Sequence, residues 1–290
     1  MSFADVVNSV MQTQSGGTVF TDQLVNFLKN REDTYAQDTY FHVSHLYYMC
    51  PRQEVLKRII PAALLKEDLD VKMKAKFDIG HALHAWYQNE YMGPMGTLYG
   101  SWACIRCGDV QEGFMPKGVC DACGAGKKGR KNYKLSPRWE YVETPVLSVE
   151  WNIKGKSDGI VIVNGNRHVV DLKTCDPELF KKMTKPWYAA LYQVQIYMWL
   201  LDIKKGVVVY IDKSSNTDTP VKEFPVEYSI QTINDAQSKI TDFRLAQETR
   251  ILPACRCGKS KFSAPCGEVE CLEVTQKALA EWESAKEGVV

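Results

Sequence analysis

The sequence predicts a mixed α/β fold, and three observations carry that reading. Runs rich in β-branched residues alternate in polarity between 144 and 174, a turn pair Asn164-Gly165 separates two of them, and helical stretches stand before and after. The chain has 290 residues, 45% hydrophobic and 24% charged, enough for a core of ordinary size and unlike a disordered or fibrous protein. Its most apolar stretch, residues 188–203, is broken by Gln193, Gln195 and Asp202, so no membrane span of about 18 apolar residues is expected. The first residues lack a basic start followed by an apolar run, so a soluble protein without a secretory signal, and without disulfides, is expected.

Taken in order, Thr21 and Asp22 are caps for a short helix over LVNFLKN. From Ser44, SHLYYMCPRQEVLKRII reads as two abutting helical pieces, because Pro51 lacks an amide hydrogen and must open a fresh first turn; Cys50 falls at the junction. A helix over roughly 78–91 ends at Gly93, Pro94 and Gly96. Residues 101–135, with four cysteines and few aliphatic residues, read as an insertion. TPVLSVEWNIKG, DGIVIV and RHVVDLKT read as a three-stranded meander, with Asn164-Gly165-Asn166 as a hairpin turn. A helix over about 185–202, a buried strand GVVVYI, an edge strand VKEFPVEY marked by Pro225, and a helix over 229–248 complete the pattern. That order suits a mixed sandwich better than a βαβ repeat.

The strongest chemical pattern is Asp158 followed by Asp171-Leu172-Lys173. Asp171 and Lys173 stand two apart on one strand and leave the same face, and the turn at 164–166 brings Asp158 beside them. Buried without a role, these charges would each carry a heavy desolvation cost. A divalent cation held by both aspartates removes it, and carboxylate oxygens suit Mg²⁺ or Mn²⁺. Lys173 would then stand by a metal-bound water or a scissile phosphate. Alone, D-x-K would be a surface ion pair on an exposed strand face in most proteins. His81 and His84 precede the insertion on a helix, either one able to fill a further metal position or to be a core histidine. Gln193 and Tyr197, four apart on a helix, share a face toward the Lys173 strand and could position a nucleotide or the carboxylates, or simply flank the helix.

Together these residues resemble the PD-(D/E)XK nuclease superfamily in its RecB-like branch, whose motifs run G-x-x-x-H, G-x-x-D, D/E-x-K and Q-x-x-x-Y. Here they stand as Gly80 to His84, Gly155-Lys156-Ser157-Asp158, Asp171-Leu172-Lys173 and Gln193 to Tyr197. The resemblance implies a restriction-endonuclease-like α/β/α core with a mixed sheet. It implies His84, Asp158, Asp171 and the Leu172 carbonyl as ligands of Mg²⁺ or Mn²⁺, with Lys173 catalytic and Gln193 and Tyr197 completing the site. His81 lies outside the pattern and is read as structural.

Cys104-x2-Cys107 and Cys120-x2-Cys123, each followed by a glycine, have the spacing of a zinc ribbon closing a tetrahedral Zn²⁺ site. Between Lys117 and Arg138 stand seven basic residues against the one acid Asp121. Lys127, Lys128, Arg130, Lys131 and Lys134 are therefore expected to grip DNA phosphates beside the site; a solvated loop, or one docking a protein partner, is the rival. The remaining set resembles the 4Fe-4S cluster of AddAB-type and CRISPR-associated nucleases, with one cysteine before the core and three after it. By that resemblance Cys50, Cys257, Cys266 and Cys271 hold the cluster, with Cys255 as the alternate; a second zinc site is the rival. Cys175 reads as a buried thiol.

The expected organisation is an N-terminal helical segment over 1–43, a nuclease core over 44–100 and 136–250, the zinc-ribbon insertion over 101–135, and a cysteine module over 251–290 stapled onto Cys50. The expected function is a stand-alone, metal-dependent exonuclease acting on single-stranded or duplex DNA ends in recombination, repair or phage DNA processing. It would work in the cytoplasm of a bacterium or a phage-infected host. A non-catalytic DNA-binding or assembly factor on the same fold, or an RNA-directed nuclease, is the alternative; protein partners are not legible.

Overall fold

The computed structural model describes residues 21–31, 39–59, 71–125, 139–214, 219–256 and 273–284. The basic residues Lys127 to Lys134 and three of the expected cluster ligands, Cys257, Cys266 and Cys271, lie outside them. The chain divides into two compact units, Met1–Asp38 with Glu67–His81, and Thr39–Lys66 with Ala82–Val290. In the first, α1 (Thr21–Asn30) is described together with the start of α4 (Val71–Trp86). The buried Lys74 donates to the Arg31 carbonyl (2.8 Å), and Arg31 pairs with Asp78 (2.8 Å).

The second unit runs β1 (Phe41–His42), α2 (Val43–Leu46), α3 (Pro51–Ile59), the end of α4 and a π-helical turn (Tyr87–Met92). It continues through β2 (Leu98–Cys104), β3 (Val110–Phe114), β4 (Trp139–Val142), β5 (Thr144–Ser148) and β6 (Ile153–Ser157). Then follow β7 (Gly159–Val163), β8 (Asn166–Cys175), α5 (Pro177–Lys182), α6 (Tyr188–Leu200), β9 (Lys205–Asp212), β10 (Val221–Glu227), α7 (Ile230–Thr249) and α8 (Glu273–Ser284). Among the described residues, seven strands form the main sheet in the order β10-β9-β8-β7-β2-β3, with β4 also on β2, and β1-β6-β5 form a smaller one. β8 and β9 run parallel and the other pairs of the main sheet antiparallel, so the sheet is mixed. As Pro225 led one to expect, β10 lies at its edge.

The expected meander is divided between the two sheets. TPVLSVEWNIKG turns back on itself at 149–152, where Asn152 adopts a left-handed φ of 55° and Ser148 Oγ accepts from Trp151 N, giving the β5–β6 hairpin of the small sheet. Val149 and Trp151 are strand-forming residues, so composition hid this turn. The β7–β8 turn is legible because Asn164 and Gly165 both take positive φ, 50° and 73°, between the paired Val163 and Asn166, as a type I′ turn requires. Residues 101–104 belong to the main sheet: β2 pairs first with β7 and then, past Gly100, with β4. Trp102 and Trp139 are buried there beside Cys104 and Cys120.

Alternation along β8 divides its side chains between two cores. Val169 and Cys175 enter the core shared with α6 and α7, whereas Val170 and Leu172 enter the one that holds Trp102 and Trp139. Asp171 and Lys173 therefore leave the face covered by α6. Among the described residues, no helix is long and apolar enough to cross a membrane.

Candidate active site and cysteine sites

The chain leaves the small sheet at Ser157 and enters the main one at Gly159, so Asp158 stands at the corner between them. The β7–β8 ladder ends at Gly159 opposite Val170, and one step beyond it the Asp158 carboxylate (Oδ2) accepts from Leu172 N at 2.6 Å. The corner is pinned twice more: Gln88 Nε2 donates to the Asp158 carbonyl (2.7 Å), and Ser157 Oγ donates to the Gly159 carbonyl (3.2 Å). His84, in the last turn of α4, places Nδ1 3.5 Å from Asp158 Oδ1. That is long for a hydrogen bond.

Asp171 is fully buried; its Oδ1 accepts from Lys173 Nζ at 2.8 Å, and its Oδ2 has no hydrogen-bond partner among the described residues. Lys173 also donates to Gln193 Oε1 (3.2 Å), whose Nε2 reaches the Tyr197 hydroxyl (3.4 Å). Gly155 is needed here, since a Cβ would lie 2.9 Å from Val43 Cγ2 and 3.2 Å from the Tyr197 ring and hydroxyl. The glycine of G-x-x-D thus admits the tyrosine of Q-x-x-x-Y. Burial and the neighbouring Asp158 push the Asp171 carboxyl up to about 6 against the pull of Lys173. Burial also acts to raise Asp158, but His84, Lys173 and the Leu172 amide outweigh it and hold that carboxyl below the ordinary range. Lys173 is desolvated, yet Asp171 and Asp158 keep its ammonium more strongly protonated than usual.

All the residues named for this site from the sequence, His84, Asp158, Asp171, Leu172, Lys173, Gln193 and Tyr197, come together. His81 is exposed, so it is not a core histidine. Two neighbours were missed. Gln88 is buried on the π-helical turn, four residues after His84, a spacing that could have found it. Glu143, between β4 and β5, is raised by burial and by Asp158 and lowered by Gln88 and His84; no pattern in the sequence marked it.

The four ribbon thiols lie within 4.8 Å of one another, and among the described residues they are the one set of His, Cys, Asp or Glu donors so closed. Cys104 and Cys123 Sγ are 3.9 Å apart, and Cys107 and Cys120 3.7 Å, matching the ~3.8 Å edge of a tetrahedron with Zn–S bonds of ~2.3 Å. Both knuckles have one build: Gly108 N donates to the Cys104 carbonyl (2.8 Å) and Gly124 N to that of Cys120 (2.7 Å), with both glycines at positive φ. Amides of Arg106 and Cys107 draw the Cys104 thiol down to about 7. Cys50, buried before the first residue of α3, accepts from Arg256 N at 3.3 Å, which brings the stretch after α7 onto it. Cys255 is exposed, and Cys175 is buried with its thiol pushed up by that burial.

No protein-family model matches the chain. Over 108 residues it is 32% identical to the CRISPR-associated exonuclease Cas4 of Saccharolobus solfataricus, a match spanning 35% of this chain and 43% of that protein. Two solved structures are similar to this chain at a TM-score of 0.44. They are SSO0001 (16% identical, 88% of this chain and 96% of that one) and the alkaline exonuclease LHK-Exo from Laribacter hongkongensis (13%, 79% and 94%).

Proposed function

We propose that the protein is a Mg²⁺- or Mn²⁺-dependent DNA exonuclease acting on single-stranded or duplex ends, in recombination, repair or phage DNA processing. One observation carries the reading: a fully buried carboxylate, Asp171, keeps an oxygen without a hydrogen-bond partner among the described residues, beside Asp158 and His84. Hard carboxylate and carbonyl oxygens suit such a cation, and Asp158, Asp171 and the Leu172 carbonyl, with His84 beside them, would hold it. Bound there, it supplies polarisation of the phosphoryl oxygen and a water of lowered pKa. Lys173, kept as an ammonium between Asp171 and Gln193, stabilises the charge that develops on the phosphate. Tyr197 and Gln193 fix its direction, and Gln88 and Ser157 fix the corner that carries Asp158. The Saccharolobus relative is an exonuclease by name, which favours end-directed action.

The ribbon thiols suit Zn²⁺, and the basic run beyond them, Lys127, Lys128, Arg130, Lys131 and Lys134, is proposed to hold DNA. A 4Fe-4S cluster on Cys50, Cys257, Cys266 and Cys271, with Cys255 as alternate, is supported by the approach of Arg256 to Cys50.

End-labelled linear DNA incubated with Mn²⁺, Mg²⁺ or EDTA tests the activity: cation-dependent product should fall by about 10²-fold or more in Lys173→Ala. Cleavage that survives the substitution, or proceeds in EDTA, would defeat the assignment. Cys50→Ser should bleach the visible absorption of anaerobically purified protein; an unaltered spectrum removes the cluster.

A further inference from the structure

The stretch from the short helix α5 into the first turns of α6 reads LFKKMTKPWYAALY over 179–192, with three lysines and two exposed aromatic residues; Asp176 and Glu178 precede it, and Glu178 pairs with Lys181 (3.3 Å). Trp187 is 45% exposed and Tyr188 66%, and Lys181, Lys182 and Lys185 are exposed with them. Exposed as it is, Trp187 is held in place. Trp187 meets the ring of the fully buried Tyr210 edge-on (centroids 5.2 Å, 83°), and its amide donates to the Tyr210 hydroxyl (2.9 Å). Lys185 Nζ lies over the Tyr188 ring, 5.9 Å from its centroid.

The position is as telling as the composition. Tyr210 is the register partner of Lys173 on the adjacent parallel strand, so the two share a sheet face. With strands ~4.8 Å apart, the Trp187 ring stands on the order of 10 Å from Lys173. Tyr188 begins the helix that brings Gln193 to Lys173, five residues or ~7.5 Å along its axis. The segment thus lies beyond the carboxyl ends of the parallel strands β8 and β9, where open α/β sheets take their ligands.

We propose that Trp187, Tyr188 and Lys185 form a subsite for single-stranded DNA, the two rings stacking on bases and the ammonium holding a backbone phosphate next to the acidic site. Rigid aromatic faces among cations suit an unpaired strand, because every base offers a π-face while a duplex hides its own. The proposal rests on the nuclease reading and adds to it the nature of the end that is bound.

The full chain is titrated in EDTA, where cleavage cannot confuse the signal, into fluorescein-labelled oligothymidylate and into a blunt hairpin duplex, with anisotropy as the readout. Trp187→Ala and Tyr188→Ala should each weaken oligothymidylate binding roughly 5- to 100-fold and leave the duplex within about twofold. Trp187→Phe should restore most of the loss. Lys185→Ala should lower the salt slope of log K by about 0.7. Tyr188, the more exposed ring, keeps the test valid if Trp187→Ala fails to fold. Alanine variants that bind oligothymidylate as the wild type does would overturn the subsite and hand the exposed rings to a protein partner; equal losses on the duplex would also overturn it. Cleavage in Mn²⁺ is followed in parallel. A wild type that cleaves while the ring variants bind normally removes the subsite alone, whereas one that neither binds nor cleaves removes both readings.

Discussion

The ribbon thiols and the acidic cluster are both polar groups set against the main sheet, and they differ in what their surroundings leave undone. Around the thiols everything closes: two knuckles of identical build, glycines in the left-handed region, and sulfur separations that match a metal tetrahedron. Around Asp171 something is left over, because a buried oxygen has no hydrogen-bond partner among the described residues and the carboxyl is held at about 6. Closed donor sets stabilise a fold, and open ones keep a valence for substrate or cation. The comparison teaches that the same sheet carries one site built for stability and one built at its expense.

Substitution should separate the two. The largest effect is expected for Asp171→Asn, which should lower cation-dependent cleavage about 10²- to 10³-fold in the end-label assay while leaving the fold intact. Cys107→Ser should do the reverse, removing bound zinc as measured by elemental analysis and destabilising the protein by about 4 kcal/mol or more in denaturant titration. Acid pH sharpens the contrast. A carboxyl whose folded pKa is raised binds more protons in the native state than in the unfolded one between the usual value and about 6, so its contribution to stability falls as pH rises through that window. In EDTA, Asp171→Asn should therefore gain stability over the wild type as pH goes from about 4 to about 7, by up to about 3 kcal/mol; a difference independent of pH would contradict this. The smallest effect is Gly155→Ala, expected to cost about 1 to 3 kcal/mol, because Val43 and Tyr197 must both move, and to weaken cleavage through Tyr197.

Much of this was legible because local rules coincide with the tertiary outcome. The period of two put Asp171 and Lys173 on one face, the period of four put Gln193 and Tyr197 on another, and Asn164-Gly165 forced the hairpin between Asp158 and Asp171. The cysteine spacing likewise holds its own geometry, since each knuckle is closed by hydrogen bonds within six residues. The turn at 149–152 was hidden, because its residues are strand formers and only the competition between two sheets bends them. Glu143 was hidden too: its place beside Asp158 depends on how β4 and β5 are joined, not on any spacing along one element.

The sequence by itself determined the chemistry: which side chains share a strand or helix face, where the chain must turn, and which thiols close together, all consequences of backbone geometry over short distances. Only the tertiary structure decided what that chemistry meets. It moved the chain from one sheet to the other at Asp158, left Leu172 N free of the β7 ladder to bind that carboxylate, and buried Asp171 with an oxygen to spare. It also set Trp187 upon Tyr210 beside Lys173. Those relations join residues far apart in the chain, and they are fixed by sheet pairing and core packing, which no local pattern encodes.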